Sequence, residues 1–128
     1  MTVDKQPIYP HLIRLVPEQF SWIDHRFVRE RYIDYLSHQA AALYLFLVTV
    51  GDNRGLSYYG DKSVCKRLQM DATELDKARK LLVDNRLVAY RNPLYQVLAL
   101  EERRHPRQTE SEPTSLGQIL QQMAGGGR

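Results

Sequence analysis

Hydrophobic and polar positions along the chain predict an extended arm followed by a short helix. Residues 1–19 mix aliphatic side chains with Pro7, Pro10 and Pro17, and prolines at this spacing prevent a continuous helix. We therefore expect an extended N-terminal arm over residues 1–19. In residues 28–37, apolar side chains recur at helical spacing, which predicts a first, short helix.

The most apolar part of the chain is residues 39–50, where alanine, leucine, phenylalanine and valine fall on all sides of a helix. Such a helix needs protein on nearly every face, so we expect it at the centre of the domain. A turn cluster in residues 51–55 ends this helix, and residues 56–59 form a brief β-prone run.

Residues 61–68 predict a further helix of two turns. Asp61 is placed to cap its N-terminus. Val64, Cys65 and Leu68 recur at the spacing of one helix face, and we expect them to point inward.

The strongest local signal marks the start of the next helix, over residues 72–85. Asp71 can accept a hydrogen bond from the amide of Glu74 while the Glu74 side chain reaches back, which is a capping box. Met70 and Leu75 are spaced to pack together as a hydrophobic staple. Two independent signals therefore predict the same helix start.

The helix over residues 72–85 has two faces, and a β-hairpin follows it. The side chains expected to face inward are Leu75, Ala78, Leu81, Leu82 and Asn85. Those expected on the opposite face are Thr73, Asp76, Lys80 and Val83.

Residues 87–90 and 94–100 are β-prone, and Arg91, Asn92 and Pro93 form the turn between them.

The C-terminal part of the chain is polar except for one apolar stripe. Residues 101–113 are charged and contain proline, which favours a disordered linker. Residues 114–124 have helical periodicity, and the glycines of residues 125–128 end it in a flexible tail. The stripe consists of Leu116, Ile119, Leu120 and Met123. It is typical either of a frayed or folded-back helix, or of a tethered helix that binds a protein partner or a second copy.

Composition places this pattern in one small domain. The 128 residues, 43% hydrophobic and 26% charged, suffice for a single core, which we assign to residues 20–100. Cys65 has no partner for an internal disulfide and no secretory leader precedes it, so we expect a reducing, cytoplasmic location. The apolar run of residues 40–50 is about half the roughly 20 residues of a membrane span, so no membrane segment is expected.

Charge is unevenly distributed along the chain. The net charge is +3, and residues 61–100 hold eight Lys or Arg against five Asp or Glu, whereas the flanking parts are balanced. A polyanionic partner would therefore meet this segment, although a merely solvated face has the same composition.

Catalytic and metal-binding patterns are not found in the sequence. The four histidines lack the spacing of a zinc site, and there is no phosphate-binding glycine motif or nucleophile elbow. We expect neither enzymatic activity nor a metal or small-molecule cofactor.

The order of predicted elements resembles a winged helix-turn-helix domain over residues 20–100. The resemblance rests on the short strand at Tyr58 and Tyr59, the helix 61–68, the turn Gln69-Met70-Asp71, the helix 72–85 and the hairpin 87–100. Within that superfamily the chain is most similar to winged domains of bacterial replication initiators and primosome loaders, and to small helix-turn-helix proteins of mobile elements. The resemblance implies a mainly α fold with a small β wing.

The same resemblance implies binding to double-stranded DNA, with the helix 72–85 in the major groove. Its candidates for contact with bases are Thr73, Asp76, Lys77 and Lys80. The candidates for contact with phosphates are Lys62, Ser63, Lys66, Arg67 and, at the wing, Arg91, with Arg79 and Arg86 flanking them. Asp76 can accept a hydrogen bond from cytosine or repel phosphate.

Two functions are compatible with these features. The first is a DNA-binding regulator of bacterial transcription or replication. The second is a non-enzymatic adaptor whose winged domain and C-terminal helix hold proteins together, because winged domains also serve as protein-interaction modules.

Overall fold

The computed structural model describes residues 4–101, which contain four α-helices and a small three-stranded antiparallel sheet. The helices are α1 (Arg26–Arg29), α2 (His38–Val50), α3 (Asp61–Leu68) and α4 (Ala72–Asp84), and the strands are β1 (Leu56–Tyr58), β2 (Val88–Arg91) and β3 (Leu94–Val97). This layout agrees with the expected helical domain with a small β part. The proposed linker beyond Glu101, the stripe Leu116, Ile119, Leu120 and Met123, and the tail lie outside the described residues.

Helix α2 is the centre of the core, as its apolar composition predicts. Its first turn is capped by the Ser37 side chain, which accepts a hydrogen bond from the amide of Ala40 at 3.1 Å. Leu43 and Leu47 are completely buried, and the helix packs mainly against α4. The core is therefore a layer of two helices, completed by α3 and by one face of the sheet.

The predicted capping box at the start of α4 is confirmed. The Asp71 carboxylate accepts from the Glu74 amide at 2.7 Å, and the Glu74 carboxylate accepts from the Asp71 amide at 2.9 Å. Met70 and Leu75 are both buried in the same apolar cluster. The turn before this helix is made by Gln69, whose left-handed conformation (φ 56°) ends α3.

Three predicted details are wrong. Asp61 does not cap α3: it is the first helical residue, Gly60 occupies the capping position, and the Asp61 carboxylate is bound to Arg79 instead. Arg91 belongs to β2 and pairs with Leu94, so only two residues connect the strands. The last strand ends at Val97, because the chain leaves the sheet to bring Leu100 into the core.

The prediction of a continuous helix over residues 28–37 is also wrong. α1 ends at Arg29, and a short 3₁₀ turn, Ile33–Tyr35, follows after a break. Arg31 adopts a left-handed conformation (φ 65°), which stops the helix. The break turns Tyr32 into the core and leaves Val28 exposed, contrary to the single apolar face that the spacing predicts.

The sheet is antiparallel with strand order β1-β3-β2. Leu56 lies opposite Gln96 in one pair of strands, and Tyr90 lies opposite Tyr95 in the other. The part of the arm that the structure describes, residues 4–19, contains the 3₁₀ turn Pro10–Leu12 and bends at residues 8–9 and 18–19. At the other end, the Tyr32 hydroxyl donates a hydrogen bond to the carbonyl of Glu101, which ties the end of the domain to the segment before α2.

The turn between α2 and β1 requires glycine at residue 55. Gly55 has φ +81°, and a Cβ there would lie 2.7 Å from the carbonyl oxygen of Val97. We expect Gly55→Ala to lower the free energy of unfolding by about 2–4 kcal/mol, since it adds left-handed strain to a backbone overlap. Urea denaturation of the whole chain measures this change.

The matched control is Gly60→Ala, because a Cβ at Gly60 meets nothing within 4 Å. We expect it to lower the free energy of unfolding by about 1 kcal/mol or less, because Gly60 is the N-cap of α3 and alanine is a poorer N-cap than glycine. Equal losses for both variants would contradict the role given to the approach of Gly55 to β3.

Candidate nucleic-acid interface

All nine residues predicted to bind DNA are exposed, on three neighbouring elements. On α3, Lys62 and Lys66 lie one turn apart, as do Ser63 and Arg67. On α4, the spacing places the other four on one strip of the helix: Thr73, Asp76, Lys77 and Lys80. Arg91 lies at the end of β2, beside the hairpin turn.

The three elements meet at the guanidinium group of Arg79, whose side chain is only 12% exposed. Its Nη1 atom donates to Asp61 at the start of α3 at 2.9 Å and to the Tyr95 hydroxyl of β3 at 2.8 Å. Its Nη2 atom donates to Asp76 of α4 at 3.0 Å. The group also lies over the Tyr90 ring of β2, 4.3 Å from the ring centre. We call these five residues the Arg79 cluster.

The contacts within the Arg79 cluster affect the protonation of Arg79 and Tyr95. Burial lowers the pKa of Arg79, but its hydrogen bonds to Asp61 and Tyr95 act in the opposite direction and raise the pKa above its ordinary value. Burial also raises the pKa of Tyr95, although the hydrogen bond from Arg79 opposes this effect. Arg79 therefore stays charged and Tyr95 stays neutral near neutral pH.

Every acidic residue between residues 61 and 100 has a partner within the domain. Asp61 and Asp76 bind Arg79, and Asp84 pairs with Lys80 at 3.2 Å. Asp71 and Glu74 accept backbone hydrogen bonds at the start of α4, where the helix dipole also favours negative charge. Each acid of this segment therefore has a local partner, and three of them, including Asp76 on the face predicted to enter the groove, are paired with a cation.

Five cations of the same segment are exposed and form no ion pair with any residue of 4–101. They are Lys62, Lys66, Arg67, Lys77 and Arg91. The flanking candidates differ from them: Arg79 is occupied by its cluster, and Arg86 lies 3.8 Å from the Glu101 carboxylate. A positive surface therefore remains once the internal pairs are removed.

The hairpin turn lies next to the start of α3. The Tyr59 amide donates to the carbonyl of Pro93 at 3.2 Å, and two residues later the chain reaches Asp61 in the Arg79 cluster. This places Lys62 and Arg91 at neighbouring ends of two elements. No hydrogen bond or ion pair among residues 4–101 connects Arg67 or Lys77 to the hairpin. These two residues are therefore assigned to the candidate interface by their helical spacing alone.

Sequence reasoning missed two features of this surface. The first is the role of Arg79, because its partners Asp61, Tyr90 and Tyr95 lie 11 to 18 positions away along the chain. The second is Tyr58, an aromatic side chain that is 72% exposed on β1, opposite Leu94 next to the hairpin turn. Its β-prone surroundings predicted the strand but not which side of the sheet it occupies.

Comparisons of this chain with family models, with curated proteins and with solved structures found no match. Within residues 4–101, no cluster of three or more His, Cys, Asp or Glu side chains could hold a metal ion. In the same residues, no helix is long and apolar enough to cross a membrane.

The Arg79 cluster makes a prediction about stability. We expect Arg79→Met to lower the free energy of unfolding by about 1–3 kcal/mol, because it removes charge-assisted hydrogen bonds and a cation–π contact from a mostly buried site. Urea denaturation measures the loss. In a double-mutant cycle, Tyr95→Phe should cost less in the Arg79→Met background than alone.

Arg86→Met is the control, since this arginine is 75% exposed and its ion pair is long. We expect a change within about 0.5 kcal/mol. If Arg79→Met were no more destabilising than Arg86→Met, the cluster would not hold the three elements together.

Proposed function

We propose that residues 20–100 form a winged helix-turn-helix domain that binds double-stranded DNA, as a bacterial regulator of transcription or replication. In this proposal α3, the turn at residues 69–71 and α4 are the helix-turn-helix, and the β2–β3 hairpin is the wing. The element order and the sheet order β1-β3-β2 support the proposal.

The observation that carries the proposal is the charge balance of residues 61–100. All five acids are engaged inside the domain, whereas five of the eight cations are exposed and lack an ion pair within 4–101. Ion pairing does not change the net charge of this segment, which has eight cations against five acids. It leaves five exposed cations available to the phosphate backbone, which supplies most of the affinity of duplex binding.

In this proposal the three elements make different contacts with the duplex. The exposed strip of α4 is the part that a major groove can admit, so Thr73, Lys77 and Lys80 meet base edges. Lys80 gives up its exposed ion pair with Asp84 to do so. Lys62, Ser63, Lys66 and Arg67 on α3 and Arg91 on the wing meet phosphates. Asp76 is held by Arg79, so its role is to position that cluster rather than to bind cytosine.

A salt titration tests the proposal. Binding of the whole chain to a fluorescent random-sequence duplex is measured by anisotropy between about 50 and 200 mM salt, where phosphate contacts give a steep negative slope. We expect the variant Lys62→Ala/Lys66→Ala/Arg67→Ala to flatten the slope by about one unit per lost contact and to weaken binding to all sequences alike.

The control variant is Lys5→Ala/Arg29→Ala/Arg54→Ala, which removes the same charge from exposed positions outside the interface. We expect its salt slope to stay close to that of the parent chain. Circular dichroism confirms that both variants fold. Duplex binding by the interface variant that equals the parent's would contradict the proposal.

Sequence preference gives a separate prediction for α4. Thr73→Ala and Lys80→Ala should change which duplexes are enriched from a randomised pool, because these side chains face the bases. Lys66→Ala should weaken binding without changing the preference. Identical enriched sequences from all three variants and the parent would place α4 outside the groove.

The adaptor function remains a second candidate, because the arm exposes a large apolar surface. The two candidates differ in their dependence on salt: duplex binding weakens steeply as salt rises, whereas apolar protein contacts do not. A parent chain with no measurable affinity for duplex at 50 mM salt favours the adaptor.

A further inference from the structure

The N-terminal arm and its root, residues 8–23, expose an unusual amount of apolar surface. Between residues 8 and 23, nine large apolar side chains are 40–86% exposed, among them Leu15 at 84% and Val16 at 77%. A hydrogen bond of 3.3 Å from the Ser21 hydroxyl to the Thr49 carbonyl attaches the root of the arm to α2. The part before the root, residues 8–16, is exposed throughout.

A cleft of about 610 Å³ lies at the root of this arm. Phe20, Trp22 and Ile23 line one side, and Val48 of α2 and Val97 of β3 contribute to the rest. Its volume is within the range of pockets that bury a drug-sized ligand, so it has room for several aliphatic side chains. The charged side chains of Asp24, Arg26, Asp52 and Arg54 also line the cleft. The same chain thus carries an exposed apolar segment and a cleft with apolar and charged walls.

We propose that residues 8–16 of one copy bind in the cleft of a second copy, and that residues 8–16 of the second copy bind in the cleft of the first. Because donor and acceptor are on one chain, two copies satisfy both at once and close as a two-fold dimer. No residue of this contact belongs to the candidate DNA interface, so the dimer stands independently of duplex binding.

The exposed area fits a dimer. Nine side chains of this size present on the order of 1,000 Å² of apolar surface, against roughly 800 Å² per partner in a standard stable interface. Monomeric proteins rarely expose a contiguous apolar patch larger than a few hundred Å². The arm therefore has enough surface for a stable contact and more than a lone chain usually leaves in water.

The chain's own arm is a poorer occupant of the cleft than that of a second copy. Residues 20–23 already form one wall, so residues 8–16 would have to reverse direction within residues 17–19 to enter it. Residues 18 and 19 form a bend in this structure, yet none of residues 8–16 lines the cleft and all of them stay exposed. The cleft is therefore open to an arm from a second copy.

Light scattering coupled to size-exclusion chromatography of the whole chain tests the dimer between about 1 and 200 μM. The donor variant is Leu15→Asp/Val16→Asp, and the acceptor variant is Trp22→Asp; all three positions are exposed. We expect the parent chain to be a dimer and each variant to dissociate at a concentration roughly 100-fold higher or more. Gln6→Asp/Gln19→Asp adds the same charge to polar arm positions and should leave the dimer intact.

Mixing the donor variant with the acceptor variant distinguishes a dimer formed by exchange of arms from a dimer formed through another surface. A donor variant keeps its cleft and an acceptor variant keeps its arm, so an equimolar mixture should form heterodimers through one restored contact. Failure of the mixture to associate, or a dimer that the donor variant does not weaken, would overturn the proposal.

A parent chain that is monomeric at every concentration would also overturn the proposal. In that case a lower melting midpoint on deleting residues 114–128 would assign the cleft to the C-terminal part of the same chain. An unchanged midpoint would leave it to a different protein.

Discussion

The guanidinium group of Arg79 fixes the relative positions of α3, α4 and both strands of the hairpin. Its partners Asp61, Asp76, Tyr90 and Tyr95 come from four different elements. A planar group with several donors in a fixed fork can satisfy such partners together, which a lysine cannot do. Because both the start of α3 and the hairpin are bound to this group, the geometry of the candidate interface depends on it.

The same cluster changes what the surface can bind. Counted along the chain, α4 carries Glu74, Asp76 and Asp84 beside its cations, which is a poor composition for contact with phosphate. The folded domain compensates these acids by a capping box and by ion pairs within the helix and to it. Five exposed cations without an ion pair in residues 4–101 remain, so a segment with a small net charge presents a surface that is net positive.

The arm and the candidate nucleic-acid interface are suited to different kinds of interaction. The arm exposes many large apolar side chains, and a hydrogen bond from Ser21 to Thr49 attaches its root to the body of the domain. Apolar contacts gain from release of water and depend little on salt, whereas phosphate contacts weaken steeply with it. The two proposed surfaces can therefore be separated by solution conditions as well as by mutation.

Local rules in the sequence determined the elements: the capping box at Asp71 and Glu74 set the start of α4, and the all-apolar run set α2 as the core helix. These signals act over a few residues, so they can be read without a fold. Only the tertiary structure decided that Arg31 breaks the first helix, that Asp61 binds Arg79 instead of capping α3, and which cations remain unpaired. The contact between Asp61 and Arg79 joins residues 18 positions apart, and spacing along the sequence contains no information about which distant residues meet.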